Sequence, residues 1–248
     1  MKIILTKKKK KLIVTLASIL CAVAILFGAC GLYLNDYYRA DWEAINAFSD
    51  TGQITQSELD DGTLVYEPKN PSAGLIFYPG GKVEHTAYEP LMLTLAQLGV
   101  LCLLVEMPFR LAVLDQNAAD GLKEQFPKVE NWYMAGHSLG GSMAASYLEK
   151  NADEFDGLVL LAAYSTADLS GTDLKVLSIY GDEDGVMNAK KYEKYKSNLP
   201  QSFTEYILDG GNHAQFGMYG EQKGDGKASL SNRAQITQTA SKIVSFIH

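Results

Sequence analysis

The chain has 248 residues, 47% of them hydrophobic and 21% charged, with a formal net charge of −7. That balance fits a folded domain of ordinary size rather than a disordered tail, and the acidic excess argues against nucleic-acid binding by phosphate neutralisation, so no nucleic-acid partner is expected. Its three cysteines and four histidines show no metal-ligand spacing, so neither a disulfide framework nor a metal site is in prospect.

Residues 1–11 carry Lys2 and Lys7 to Lys11, and the 24 residues 12–35 then run without a charge. About 20 apolar residues cross a bilayer as a helix, whereas a secretory signal has an apolar core of roughly 7–15. The basic flank stays inside, which puts the remainder outside the cytoplasmic membrane. Tyr37, Tyr38 and Trp42 suit the far interface. Residues 1–11 are thus expected to be a cytoplasmic segment and 12–35 an uncleaved, single-pass signal-anchor, with the membrane as partner. Two alternatives also export the domain: signal-peptidase cleavage at Ala29-Cys30-Gly31, and a weak lipobox at 26–30 with Phe27 in the position of a small aliphatic residue. Setting the six lysines aside leaves 16 basic against 29 acidic residues, or −13, unsuited to lying flat on anionic lipid.

Residues 36–51 read as a helical stalk and 52–248 as the main folded domain. Segments 54–59 and 63–66, split by Asp60-Asp61-Gly62, read as a hairpin. Strands follow near 75–78, 101–105, 132–135, 158–162, 176–180 and 203–208. Helices are expected near 88–98, 115–126, 141–150, 189–197 and 233–246. Apolar runs alternating with helices define an α/β fold, a mostly parallel sheet covered on both faces.

Chemistry enters at Gly136-His137-Ser138-Leu139-Gly140, a G-x-S-x-G sequence between an expected strand and a helix of small residues. Strand, sharp turn, helix is the setting of a nucleophile elbow. Gly136 and Gly140, lacking Cβ atoms, let the chain fold back and hold the serine in a strained turn. A serine hydroxyl then needs a base, and the base needs a third group to orient it. Three carboxylates, Asp182, Glu183 and Asp184, follow the strand at 176–180, and Asp209-Gly210-Gly211-Asn212-His213-Ala214 follows the strand at 203–208.

Three stretches carry a family resemblance: Phe77-Tyr78-Pro79-Gly80-Gly81-Lys82-Val83, residues 135–141, and residues 209–217. With them, the chain resembles the α/β-hydrolase superfamily, and within it the small, exported dienelactone-hydrolase-like members, over roughly residues 52–247. The resemblance implies an α/β-hydrolase fold and the order Ser, acid, His. His85 precedes the serine, His137 lies inside the elbow and His248 ends the chain, which leaves His213 as the base after Ser138. The G-x-x-D placement favours Asp184 as the acid, with Asp182 the alternative. The backbone N–H of Leu139 and that of Gly81, or else Lys82, would form the oxyanion hole. Pro79 stands where many esterases and lipases of the superfamily have a histidine, so a lipase-type preference does not carry over.

Only thirteen residues, 163–175, separate the two strands between which many relatives insert a cap. No cap domain and an open site are expected. Phe109 and Phe216 are candidate substrate-binding walls, with core packing as the alternative. Gly224-Asp225-Gly226 has a cation-loop look but far too few ligands for one. The function expected is an extracytoplasmic serine hydrolase of small carboxylic esters, working through an acyl-enzyme with no cofactor. An acyltransferase using the same residues, or a non-catalytic surface binding protein, is the alternative.

Overall fold

The computed structural model describes residues 7–48 and 54–248, in two units divided after Tyr37. Residues 1–6 of the basic segment, residues 49–51 of the expected stalk, and residues 52 and 53, where the domain was expected to start, lie outside the described residues. The first unit holds a single helix, α1 (Lys7–Asn35), long and apolar enough to cross a membrane. Its 29 residues measure about 44 Å at 1.5 Å each, and its apolar side chains, Leu20, Ile25 and Phe27 among them, are exposed.

In the second unit, residues 38–48 belong to the folded domain rather than to a stalk. Helix α2 (Trp42–Phe48) buries Ile45 to 2% exposure, and Tyr38 pairs with Val83 as an isolated bridge. An apolar residue with a core to enter has no reason to stand in solvent. The hairpin follows as β1 (Thr55–Glu58) and β2 (Leu64–Glu67), turning at Gly62 with φ 85°.

Strand β3 (Ala73–Tyr78), helix α3 (Glu89–Gln97) and strand β4 (Val100–Leu104) come next, then β5 (Trp132–His137), helix α4 (Leu139–Asn151) and β6 (Gly157–Leu161). The chain ends with β7 (Lys175–Gly181), α5 (Ala189–Tyr195), β8 (Thr204–Leu208) and α6 (Asn232–Ile247). The eight strands lie in the order β1-β2-β4-β3-β5-β6-β7-β8; β1 and β2 are antiparallel and β3 to β8 are parallel. Alternate side chains along each strand serve opposite faces. Leu75 and Phe77 pack with α3 and α6, through Leu91, Leu95, Ile236 and Ile243, while Ile76 and Tyr78 pack with α4, through Ala144, Ala145 and Leu148.

After β3 the chain goes to β4 on one side, then crosses to β5 on the other. Such a reversal of strand order opens a crevice at the carboxyl ends, where ligands bind in open α/β sheets. Both candidate catalytic turns, 79–82 after β3 and Ser138 after β5, leave the sheet there.

One expected helix is absent. Residues 115–126 form turns, with a short 3-10 segment at Lys123–Gln125. The buried Tyr78 hydroxyl donates to the Gln116 carbonyl (2.9 Å) and accepts from the Ala119 N–H (2.8 Å), and Gly121 sits at φ 76°. Backbone groups that a helix would pair internally are taken by the sheet instead. Between β6 and β7, the described residues 162–174 contain no helix and turn Leu169 and Leu174 into the core.

Strand β5 and helix α4 meet with almost no space between backbones. A Cβ on Gly136 would lie 2.6 Å from the Gly140 carbonyl carbon and the Gly141 nitrogen, and one on Gly140 would collide with the carbonyl oxygens of Tyr78 and Pro79. Gly140→Ala is therefore expected to cost about 1–3 kcal/mol, the usual range for overpacking, read as a lower urea midpoint. An unchanged midpoint would contradict this packing.

Candidate active site

Ser138 stands between the last residue of β5 and the first of α4, at φ 52° and ψ −120°. A non-glycine residue in that region is strained by about 1–3 kcal/mol and persists only where its surroundings hold it. They do: its N–H donates to the Leu161 carbonyl at 2.9 Å, and its carbonyl accepts the Ser142 N–H at 3.1 Å. The first N–H groups of a helix lack partners within it. Leu139 thus offers its N–H at the positive end of α4, beside the serine.

His213 and Asp184 come from the loops after β8 and β7. His213 Nδ1 and Asp184 Oδ2 are 2.8 Å apart, and both side chains are almost fully buried, 1% and 2% exposed. The other Asp184 oxygen accepts the N–H groups of Val186 and Met187, each at 2.8 Å. That fixes the carboxylate, and the carboxylate fixes the ring. Asp182, the alternative acid, instead accepts the Gly210 N–H at 2.7 Å and so braces the turn before His213. The histidine loop is tied to α6 by a reciprocal pair, Asn212 N–H to Gln235 Oε1 (3.1 Å) and Gln235 Nε2 to the Asn212 carbonyl (2.8 Å). The His213 ring lies 4.5 Å from that of His137, the residue before Ser138. Its Nε2 is buried with no hydrogen-bond partner among the described residues, Ser138 included. In unliganded enzymes that contact is often long and closes only with substrate.

The loop after β3 separates its own donors. The Gly80 N–H goes to the Tyr88 hydroxyl (3.1 Å), and the Lys82 N–H goes to the Arg110 carbonyl (2.8 Å). Lys82, the alternative oxyanion donor, thus has its N–H engaged. Among the described residues no hydrogen bond takes up the Gly81 N–H, and a Cβ on Gly81 would lie 2.8 Å from the Leu139 side chain. The two candidate oxyanion residues are therefore neighbours.

His137 has a structural part. Its Nδ1 is 2.8 Å from the Tyr88 hydroxyl, which also accepts from Gly80. The Tyr88 hydroxyl thus bonds both the Gly80 N–H and His137 Nδ1, and links the loop at 79–82 to the elbow. Burial first, and the adjacent His213 ring second, hold the His137 imidazole well below its usual range, so it is neutral. Tyr88 was read in the sequence only as a helix start; no local pattern marks this hydroxyl.

Phe109 is 60% exposed on a backbone with φ 51°, beside Arg110 at φ 62°. Phe216 does not form a wall: it is fully buried, its ring 5.5 Å from His137. His248 contacts Ser72 (3.2 Å) at the amino ends of the strands. Among the described residues no group of three His, Cys, Asp or Glu side chains stands where it could hold a metal ion.

A parallel-centred α/β sheet with a strained serine at its switch point defines a hydrolase scaffold. The alpha/beta hydrolase family model matches residues 74–237, and the chain belongs to that family. Its fold resembles that of a dienelactone hydrolase from Anabaena variabilis (TM-score 0.60, 15% identity, covering 79% of this chain and 97% of that one). It also resembles TT1662 from Thermus thermophilus (0.59, 13%, 79% and 99%) and a predicted CIB-like hydrolase from Thermoplasma acidophilum (0.54, 15%, 77% and 98%). Comparison with curated proteins returns no match. Family and fold support a hydrolase-type activity.

Burial also lowers the pKa of His85. Below the ordinary histidine value of about 6.5, the unfolded chain therefore takes up protons that folded His85 and His137 refuse. Stability should fall as pH drops from 7.5 to 5.5, read from urea midpoints. Burial raises the Glu89 carboxyl, which acts in the opposite sense, so the comparison is made in Glu89→Gln, where a midpoint that stays level or rises on acidification would contradict the neutral assignment.

Proposed function

We propose that this protein is a membrane-anchored serine hydrolase of the dienelactone-hydrolase-like kind, cleaving small carboxylic esters outside the cytoplasmic membrane. The observation that carries the reading is the 2.8 Å contact between His213 and Asp184 beside the Ser138 turn. The length and apolar character of α1, which opens on Lys7 to Lys11, support the anchor and its orientation.

In this reading the Ser138 hydroxyl attacks the ester carbonyl carbon and His213 Nε2 takes its proton. Asp184 keeps the proton on Nδ1 and stabilises the imidazolium. The negative charge that develops on the carbonyl oxygen is met by the N–H groups of Leu139 and Gly81, each worth about 2.7–4 kcal/mol of barrier by the effect of removing one such donor elsewhere. Collapse returns the proton from His213 to the leaving alkoxide and leaves an acyl group on Ser138. Water, deprotonated by His213, then releases the acid and restores the serine. The choice of a small ester is supported by the half-buried Ser138 and by a β6–β7 connection, residues 162–174, that carries no helix to cap it.

Hydrolysis of p-nitrophenyl acetate tests the roles. Ser138→Ala should lower kcat/KM by at least about 10³-fold with thermal unfolding nearly unchanged. Asp184→Asn should lower kcat by roughly 10³–10⁴-fold, far more than Asp182→Asn. The reverse ranking would move the acid to Asp182, and an active Ser138→Ala would remove the mechanism.

A further inference from the structure

We propose that Asp225 is a positioning residue that holds the His213 and Asp184 loops in one geometry. The inference rests on the reading that Ser138, Asp184 and His213 act together. Asp225 lies on the stretch between His213 and α6, in Gly224-Asp225-Gly226. Its Oδ1 accepts the N–H groups of Gly185 (3.1 Å), His213 (3.2 Å) and Gly226 (2.9 Å), and its Oδ2 accepts that of Ala214 (2.8 Å). Four donors converging on one carboxylate make a place for an anion, so the group is a structural counter-charge rather than part of a cation loop.

The position of those donors gives the carboxylate its role. Gly185 follows Asp184 directly, and His213 and Ala214 are the base and its neighbour. One side chain therefore takes hydrogen bonds from both loops whose separation sets the His213–Asp184 contact. The surrounding backbones are packed to match. A Cβ on Gly185 would lie 2.5 Å from the Gly224 carbonyl oxygen and 2.9 Å from the Gly226 nitrogen, and one on Gly226 would collide with the Glu183 carbonyl. The Asn212 side chain closes the same turn, donating to the Gly226 carbonyl at 2.9 Å. Asp225 touches no reacting atom. It acts through the histidine, whose imidazole must meet Asp184 at Nδ1 and still present Nε2 towards the serine.

Charge-assisted bonds are roughly twice as strong as neutral ones. Losing them should loosen the base more than the substrate site. Displacements of about 1 Å cost roughly 100-fold in rate. Asp225→Ala is thus expected to lower kcat for p-nitrophenyl acetate by about 10- to 100-fold, with KM changing much less. Asp225→Asn keeps one carbonyl acceptor but turns an amide towards the Ala214 N–H, and should fall between Asp225→Ala and wild type.

The experiment pairs kcat and KM of the full chain, in detergent, with proton NMR of the His213 Nδ1–H. Hydrogen bonded to Asp184 in a buried site, that proton should give a far-downfield, slowly exchanging signal in the wild type. In Asp225→Ala it should exchange at least about tenfold faster or broaden away, in step with kcat. A signal and kcat that both persist in a folded Asp225→Ala overturn the proposal, whatever happens to Tm. A KM effect with kcat unchanged overturns it as well. If the wild type hydrolyses no ester, the function reading fails, while the proton's response still decides whether Asp225 orders the His213–Asp184 pair.

Discussion

The site depends on a serine held where its backbone does not want to be. At φ 52° and ψ −120°, Ser138 can turn β5 directly into α4 only because Gly136 and Gly140 leave room for the backbones to pass. The cost of that turn is offset by the packing around it: Ala144, Ala145 and Leu148 seat the helix on the sheet, and the Leu161 carbonyl of the neighbouring strand holds the serine N–H. Strain of this kind presents a hydroxyl at the sheet edge next to a helix N-terminus, both useful to an acyl-transfer centre.

Around that turn the polar groups divide into those fully employed in structure and those left with a free valence. Tyr88 bonds Gly80 and His137, Asp182 bonds Gly210, and the Lys82 N–H bonds Arg110. The buried His213 Nε2 and the Gly81 N–H are without protein partners among the described residues. Buried polar groups are normally paired, and in this cluster the His137 Nε2 is likewise buried without a partner among the described residues. His137, whose ring adjoins that of His213, is kept neutral and is bonded to Tyr88 through Nδ1.

The sheet was legible because its strands are short apolar runs separated by helix-period segments, a pattern set by burial on two faces. The turn at 136–140 was legible because steric demands put glycines at fixed offsets. Residues 115–126 misled because their apolar spacing looks helical, while the competitor for their backbone, the Tyr78 hydroxyl, lies 38 residues away from Gln116 in sequence. Phe216 sits in the core for a similar reason: proximity to His213 in sequence does not say on which side of the loop a ring falls. Which of Asp182, Glu183 and Asp184 faces His213 is decided by where the loops cross, as is the part of Asp225. Local pattern carries elements and turns, and tertiary contact carries the assignment of equivalent side chains.

The central claim is that Ser138 is chemically activated by its surroundings. The direct measurement is treatment of the folded protein with a fluorophosphonate, followed by peptide mass mapping, with His213→Ala alongside. The account predicts one stoichiometric adduct on Ser138 that is absent from the His213→Ala protein. No adduct on a folded wild-type chain, or labelling of Ser138 that persists without His213, would contradict it.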